Sequence, residues 1–294
     1  MTAVFRLDVC EQHSEPLGLA RDLFWPKTFE SELFNSVAQH KDFADFLARD
    51  DVQIPAPADR DMAYGEEHYQ YWLMGFSDYL NVLKNAPHLE GKDLNILDLG
   101  GSTARVSRHF ITARPGSNAM VAEVNVNSVN WINTYFYGNC RGIKVGPYPR
   151  IPLPDSSIDL AYGFSVFTHI DDRSEIDWLK ELVRVVKPDG CIYLTIASEH
   201  TWATVDHEFL RQCVSSDKER DKIYADAVGG PMPAERFSVG NDDLVYNCTT
   251  FHSTDYVKRV WSEYASIENI VFGCHSMGKQ TAIIMKNDRK FPKP

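Results

Sequence analysis

Between Asn95 and Ala197, short apolar runs alternate with stretches of helical periodicity, and this alternation restricts the possible folds more than any other feature. Asn95-Ile96-Leu97-Asp98-Leu99 reads as a short buried strand, followed by a turn of small residues and a helical stretch from Ala104 to Phe110. The pattern continues with strand Met120 to Val126, helix Val129 to Phe136, a short strand near Ile143 to Val145, and strand Ile158 to Phe164. Helix Ser174 to Val186 places Ile176, Leu179, Leu182, Val183 and Val186 on one side. It opens with the capping-box pattern Ser174-Glu175-Ile176-Asp177 and stops at Lys187-Pro188-Asp189-Gly190. Cys191 to Ala197 is apolar in the manner of a strand buried on both faces of a parallel sheet. Strands alternating with helices predict an α/β fold with a doubly wound sheet.

The flanks depart from this rhythm. From Phe24 to Ala48, the residues Phe29, Leu33, Phe34, Val37, Phe43, Phe46 and Leu47 recur at helical spacing, with a break near His40-Lys41-Asp42. We expect residues 1–60 to form an N-terminal helical accessory segment. Its end, Ile54-Pro55-Ala56-Pro57-Ala58-Asp59, is held extended by proline, and residues 61–294 form the main domain. The stripe Tyr69, Trp72, Leu73, Phe76, Leu80 and Leu83 reads as the packed face of a helix from Glu66 to Leu83. About residues 199–250 the chain breaks into polar turns and Gly229-Gly230-Pro231-Met232-Pro233, the pattern of a cap insertion after the fifth strand. Helix Thr254 to Tyr264 and strands Ile267 to Phe272 and Thr281 to Lys286 then predict a closing antiparallel hairpin.

Charge narrows the function. With 30 Lys and Arg against 41 Asp and Glu, the net charge of -11 leaves no general attraction to a phosphate backbone. The basic cluster from Lys279 to Lys293 is interrupted by Ala282-Ile283-Ile284-Met285, so nucleic acid is disfavoured as substrate. The six cysteines, Cys10, Cys140, Cys191, Cys213, Cys248 and Cys274, form no C-x-x-C pair, which points to reduced thiols and no metal site. Met1 to Pro16 carries Asp8, Glu11 and Glu15 and lacks an apolar signal core. No apolar run reaches spanning length, so a cytoplasmic protein without membrane contact is expected.

Three stretches carry chemistry. The first is Ile96-Leu97-Asp98-Leu99-Gly100-Gly101-Ser102-Thr103-Ala104-Arg105, where small residues between a strand and a helix let backbone N–H groups approach an anionic ligand. The second is Val121-Ala122-Glu123-Val124-Asn125-Val126-Asn127. The third, Ile151-Pro152-Leu153-Pro154-Asp155-Ser156-Ser157-Ile158-Asp159-Leu160-Ala161-Tyr162, flows into Phe164-Ser165-Val166-Phe167-Thr168-His169-Ile170 and on to Leu182-Val183-Arg184-Val185-Val186-Lys187-Pro188-Asp189-Gly190. In this order they resemble the motifs of class I S-adenosylmethionine-dependent methyltransferases, with the type 11/12-like bacterial subgroup nearest.

The resemblance implies a Rossmann-like sheet, S-adenosyl-L-methionine as cofactor, and a cofactor site drawn from Asp98, Gly100, Gly101, Ser102, Arg105, Glu123, Asn125, Phe164 and Ser165. The family's first motif has three alternating glycines, and here Ser102 and Ala104 replace two of them. Its second strand ends in an acid that accepts the ribose hydroxyls, whereas the matching position here is Asn125. Glu123 lies two residues earlier, on the same side of the strand, and reads equally as a ribose acceptor or as a solvated strand end.

Methyl transfer chiefly demands in-line alignment, with a base optional. His200 and Glu199 follow the fifth strand at the rim where open α/β sheets bind ligands, and His169 follows the fourth. Each is a candidate catalytic residue. His169 reads also as a loop histidine with a structural bond, and Glu199 as the group orienting His200. Trp202 either walls an acceptor pocket or packs under the insertion, and His252 and Tyr246 are weaker candidates. A small-molecule acceptor methylated at oxygen or nitrogen is expected. Two alternatives stay open: a non-catalytic binding or scaffolding protein on the same fold, and a nicotinamide-dependent oxidoreductase, which lacks its G-x-G-x-x-G.

Overall fold

The computed structural model describes residues 49–60, 68–171, 174–204, 230–240, 248–274 and 278–288, together with Phe43 and Phe46. Most of the helical segment expected between Phe24 and Ala48, and the candidate Tyr246, lie outside them. The chain divides into two compact units, residues 1–144 and 145–294.

The first unit contains α1 (His68–Asn85), β1 (Asn95–Leu99), α2 (Ser107–Ala113), β2 (Asn118–Glu123), α3 (Val126–Tyr135) and β3 (Cys140–Lys144). β1 pairs parallel with β2, and β2 parallel with β3, giving the order β3-β2-β1. Helix α1 forms where the aromatic stripe predicts it. Trp72 stacks on Phe76 at 5.2 Å, and Tyr79 meets Phe110 of α2 edge-on at 4.8 Å. Burying each such ring contributes about 1.5–3 kcal/mol. Three polar residues nevertheless sit in this packing. Arg108 is fully buried and binds both oxygens of Asp50 at 2.7 and 3.0 Å, while Trp72 donates its indole N–H to Asp50 at 2.7 Å. His109, also fully buried, places Nε2 3.1 Å from the Trp72 carbonyl.

The second unit contains β4 (Ile158–Gly163), α4 (Glu175–Val185), β5 (Val186–Ile196), α5 (Glu199–Thr204), β6 (Phe237–Gly240), β7 (Cys248–Phe251), α6 (Thr254–Val260), β8 (Ser266–Phe272) and β9 (Thr281–Lys286). β4 and β5 are parallel, β5 and β9 antiparallel, and β9 and β8 antiparallel, which is the expected closing hairpin. β6 and β7 form a separate two-stranded sheet. The seven remaining strands make up a mixed sheet flanked by helices, the α/β class anticipated from the alternation and the Rossmann-like sheet that the resemblance implies.

Local expectations needed correction in three places. The capping box does not form: the Ser174 hydroxyl donates to Asp171 at 3.2 Å, and Asp177 pairs with Lys180. Lys187 to Gly190 does not separate helix from strand but forms a bulge inside β5, whose register to β4 shifts from Ile158–Val186 to Leu160–Cys191. Asn287 stabilises it from β9's far end, donating its side-chain amide to the carbonyls of Val183 and Val186 at 2.9 and 2.7 Å. Finally, β2 stops at Glu123 and α3 begins at Val126, because Asn125 caps that helix by accepting from the Asn127 N–H at 2.9 Å.

Candidate functional site

The turn from β1 into α2 is left-handed at alternate positions, with φ of +64° at Gly100, +47° at Ser102 and +62° at Ala104. Glycine takes this conformation freely, whereas an L side chain costs roughly 1–2 kcal/mol there. Ser102 and Ala104 thus hold, with side chains, a conformation that glycine adopts freely. Gly100 donates to the Ala122 carbonyl at 2.8 Å and Ala104 to that of Gly101 at 2.8 Å. Gly101 has no room for a side chain, since a Cβ would stand 2.4 Å from the carboxyl carbon of Asp98. Asp98 is buried and accepts from the Ser107 hydroxyl at 2.8 Å.

Around this turn the polar groups close on one another. Glu123 accepts from the Ser102 N–H at 2.9 Å and from the Asn125 N–H at 2.8 Å. Tyr71 of α1 lies 2.9 Å from the Thr103 hydroxyl and donates to the Thr103 carbonyl at 3.2 Å. Arg105 is buried and bonds Asp78 of α1 at 2.7 Å, which ties it to that helix. No local signal in the sequence marks Tyr71. It lies beside Trp72 in the chain, and no spacing marks a tyrosine whose partner is 32 residues away. A cavity of about 670 Å³ in this unit is lined by Ile111, Thr112, Tyr135 and Tyr137, at the ends of α2 and α3 remote from the loop.

In the second unit the residues following β4 and β5 are held by a closed set of bonds. Ser165, with φ of +62°, donates its N–H to Thr195 Oγ1 at 2.7 Å; Thr195 donates to Gln280 Oε1 at 2.6 Å, and Gln280 Nε2 donates to Ser165 Oγ at 2.6 Å. Phe164 packs against Tyr162 and Tyr193. Gln280, a lone amide before an apolar strand, carries no local signal in the sequence. The exposed His169 has Nδ1 2.9 Å from the Cys248 carbonyl, while Thr250 donates its N–H to the Thr168 carbonyl at 2.8 Å. β7 thus lies along the turn after β4, and Phe251 bridges to Ala197 at the end of β5.

His200 has Nε2 3.0 Å from the Gly278 carbonyl. Glu199 does not orient it. Its Oε1 instead accepts from the Thr254 N–H at 2.7 Å, at the start of α6. Trp202 is buried against Phe237 and Phe251, with its indole N–H donating to the Gly230 carbonyl at 3.0 Å. His252 is fully buried, 3.4 Å from Glu175, which also pairs with Arg236 and accepts from Trp261 at 2.5 Å. Burial opposes the Glu175 charge, but His252, Arg236 and Trp261 together hold its carboxyl below the usual range. Burial likewise lowers the His252 pKa, against the pull of Glu175. Among the described residues, no cluster of three or more His, Cys, Asp or Glu could hold a metal ion.

Residues 97–194 match the family described as a methyltransferase domain, of type 11. The structure resembles a protein of Pyrococcus horikoshii at a TM-score of 0.50 and 13% identity, over 78% of this chain and 95% of the other. A SAM-dependent methyltransferase from Methanosarcina mazei aligns at 0.49 and 16% identity, over 69% and 96%. A 1,6-didemethyltoxoflavin-N1-methyltransferase from Burkholderia thailandensis, solved with S-adenosylhomocysteine, aligns at 0.49 and 8%, over 71% and 77%. No curated protein sequence matches the chain. The family match thus assigns a methyltransferase domain to residues 97–194, within a Rossmann-like α/β fold.

Proposed function

We propose that this enzyme binds S-adenosyl-L-methionine on the Asp98 to Arg105 turn and transfers its methyl group to an oxygen or nitrogen of a small-molecule acceptor. The observation that carries the reading is the left-handed backbone kept at Gly100, Ser102 and Ala104, a cradle of small residues beside a buried carboxylate. The residues suit such a group: Asp98 would meet its amino group, the Ser102 hydroxyl its carboxylate, and Asn125 a ribose hydroxyl. When bound, the cofactor supplies an already activated sulfonium methyl, so the protein's task is alignment. Arg105 serves that task indirectly, through its pair with Asp78.

The second unit supplies the acceptor chemistry. If His200 donates Nε2–H to the Gly278 carbonyl, its Nδ1 is the basic nitrogen; His169, donating Nδ1–H to the Cys248 carbonyl, keeps Nε2 basic. Either ring can take the acceptor's proton. Glu199 steadies the start of α6, and Ser165 with Phe164 shapes the turn after β4. We keep residues 1–60 as an accessory segment, 61–294 as the catalytic domain and about 199–250 as its cap, and place the protein in the cytoplasm.

Calorimetric titration with S-adenosylmethionine and S-adenosylhomocysteine tests the reading. The wild type should bind both, and Asp98→Ala should bind neither. Wild-type affinity in Asp98→Ala refutes the placement of the site. Binding without methyl transfer to any acceptor in a broad screen would favour the scaffolding alternative.

A further inference from the structure

We infer that Glu123 is a positioning residue of the cofactor turn: its carboxylate clamps the left-handed Ser102 to the start of α3, doing by hydrogen bonding what a glycine does by conformational freedom. The inference rests on the reading of this turn as the cofactor site. Glu123 ends β2 and is only 6% exposed. Its two oxygens serve two different segments, Oε2 taking the Ser102 N–H at 2.9 Å and Oε1 the Asn125 N–H at 2.8 Å. The side chain cannot relax toward one donor without losing the other. Hydrogen bonds to an ionised acceptor are about twice as strong as neutral ones. An L residue at φ of +47° persists only where its surroundings over-determine it.

The clamp also accounts for Asn125. A carboxylate at that position would stand beside Glu123, which already takes the Asn125 N–H. The amide gives the same capping oxygen to Asn127 without a second negative charge. Ser102 and Asn125 therefore depart from the family pattern around one carboxylate, Glu123, the acid that ends β2.

The test is a double-mutant cycle of Glu123→Gln and Ser102→Gly. It is read by calorimetry with S-adenosylhomocysteine and its 2′-deoxyribose analogue, and by Tm. Ser102→Gly should raise Tm by roughly 2–4 °C. Glu123→Gln should weaken both ligands by roughly tenfold, and by less than about threefold in the Ser102→Gly background. Equal losses in the two backgrounds overturn the clamp. A loss confined to the ribose form overturns it in favour of a direct ribose contact. Should Glu123→Gln fail to fold, Glu123→Asp, one methylene too short to reach both donors, takes its place in the cycle. Wild-type binding with unchanged affinity in Glu123→Gln removes the clamp alone, whereas a wild type that binds no S-adenosylhomocysteine removes the site reading and the clamp together.

Discussion

Replacing His109 by glutamine should flatten the acid limb of the stability curve. His109 is fully buried, with its ring 4.7 Å from that of Trp72 and 5.4 Å from that of Phe76. Burial, and then the charges of Arg108 and Arg105, hold its pKa well below the ordinary 6.5, so the native ring is neutral. In the unfolded chain the same ring takes a proton as the pH falls through about 6.5. The unfolded state then binds more protons than the native state, and stability drops with falling pH by up to about 1.4 kcal/mol per unit. The loss continues until the native imidazole itself protonates. From pH 6 to pH 5, a native ring that stays neutral makes this loss on the order of 1 kcal/mol. This window lies above the range where the depressed Glu175 carboxyl begins to contribute. His252, also lowered by burial, adds a term of the same sign. Urea unfolding of the wild type and His109→Gln at pH 7, 6, 5.5 and 5 measures the difference, and the glutamine amide keeps a donor for the Trp72 carbonyl. Parallel stability curves would refute the argument, because they would mean that the native state protonates His109 as readily as the unfolded chain does.

Asp50→Ala should cost about 3–5 kcal/mol, since it leaves the Arg108 guanidinium charged and buried without its carboxylate. Differential scanning calorimetry should show Tm falling by roughly 10 °C, and an unchanged Tm would contradict the ion pair. Gly101→Ala drives a methyl group into the Asp98 carboxylate, so it should cost about 1–3 kcal/mol in urea unfolding and abolish detectable binding of S-adenosylhomocysteine. Burial pushes the Cys191 thiol up to about 12 and raises that of Cys140 as well. Iodoacetamide at pH 8 should leave both unmodified until the protein unfolds, as read by peptide mapping.

What the sequence made legible was whatever the chain encodes locally. The faces of α1 and α4 follow from their apolar spacing, and β5 from its run of buried residues, because periodicity and burial are properties of neighbouring positions. The bulge at Lys187 to Gly190 depends on Asn287, about a hundred residues away, so its pattern reads as a simple stop. Tyr71 and Gln280 act through partners 32 and 115 residues distant. Glu199 shows the converse. Its position at the rim of β5 is plain in the sequence, but its partner, the first N–H of α6, is set by the fold, and it serves that helix rather than His200.

The polar residues around α2 explain why the turn from β1 into α2 holds left-handed conformations at Ser102 and Ala104 without glycine there. Arg105, Arg108 and His109 each find a buried partner, in Asp78, Asp50 and the Trp72 carbonyl. An apolar helix face can slide against its neighbour at modest cost, because one methylene contact replaces another. A rotation of α2 would instead strand a buried guanidinium, at about 3–5 kcal/mol. The helix that follows the turn is therefore fixed in orientation. At the turn's other end, Gly100 is bonded to Ala122 of β2. Anchored at both ends and clamped at Ser102 by Glu123, the chain between has little freedom to leave the left-handed conformations at Ser102 and Ala104. On this argument, restoring glycine at Ser102 and Ala104 would stabilise the protein without reshaping the site. Loosening α2 through Asp50 or Asp78 should weaken cofactor binding, although neither residue lies in the turn.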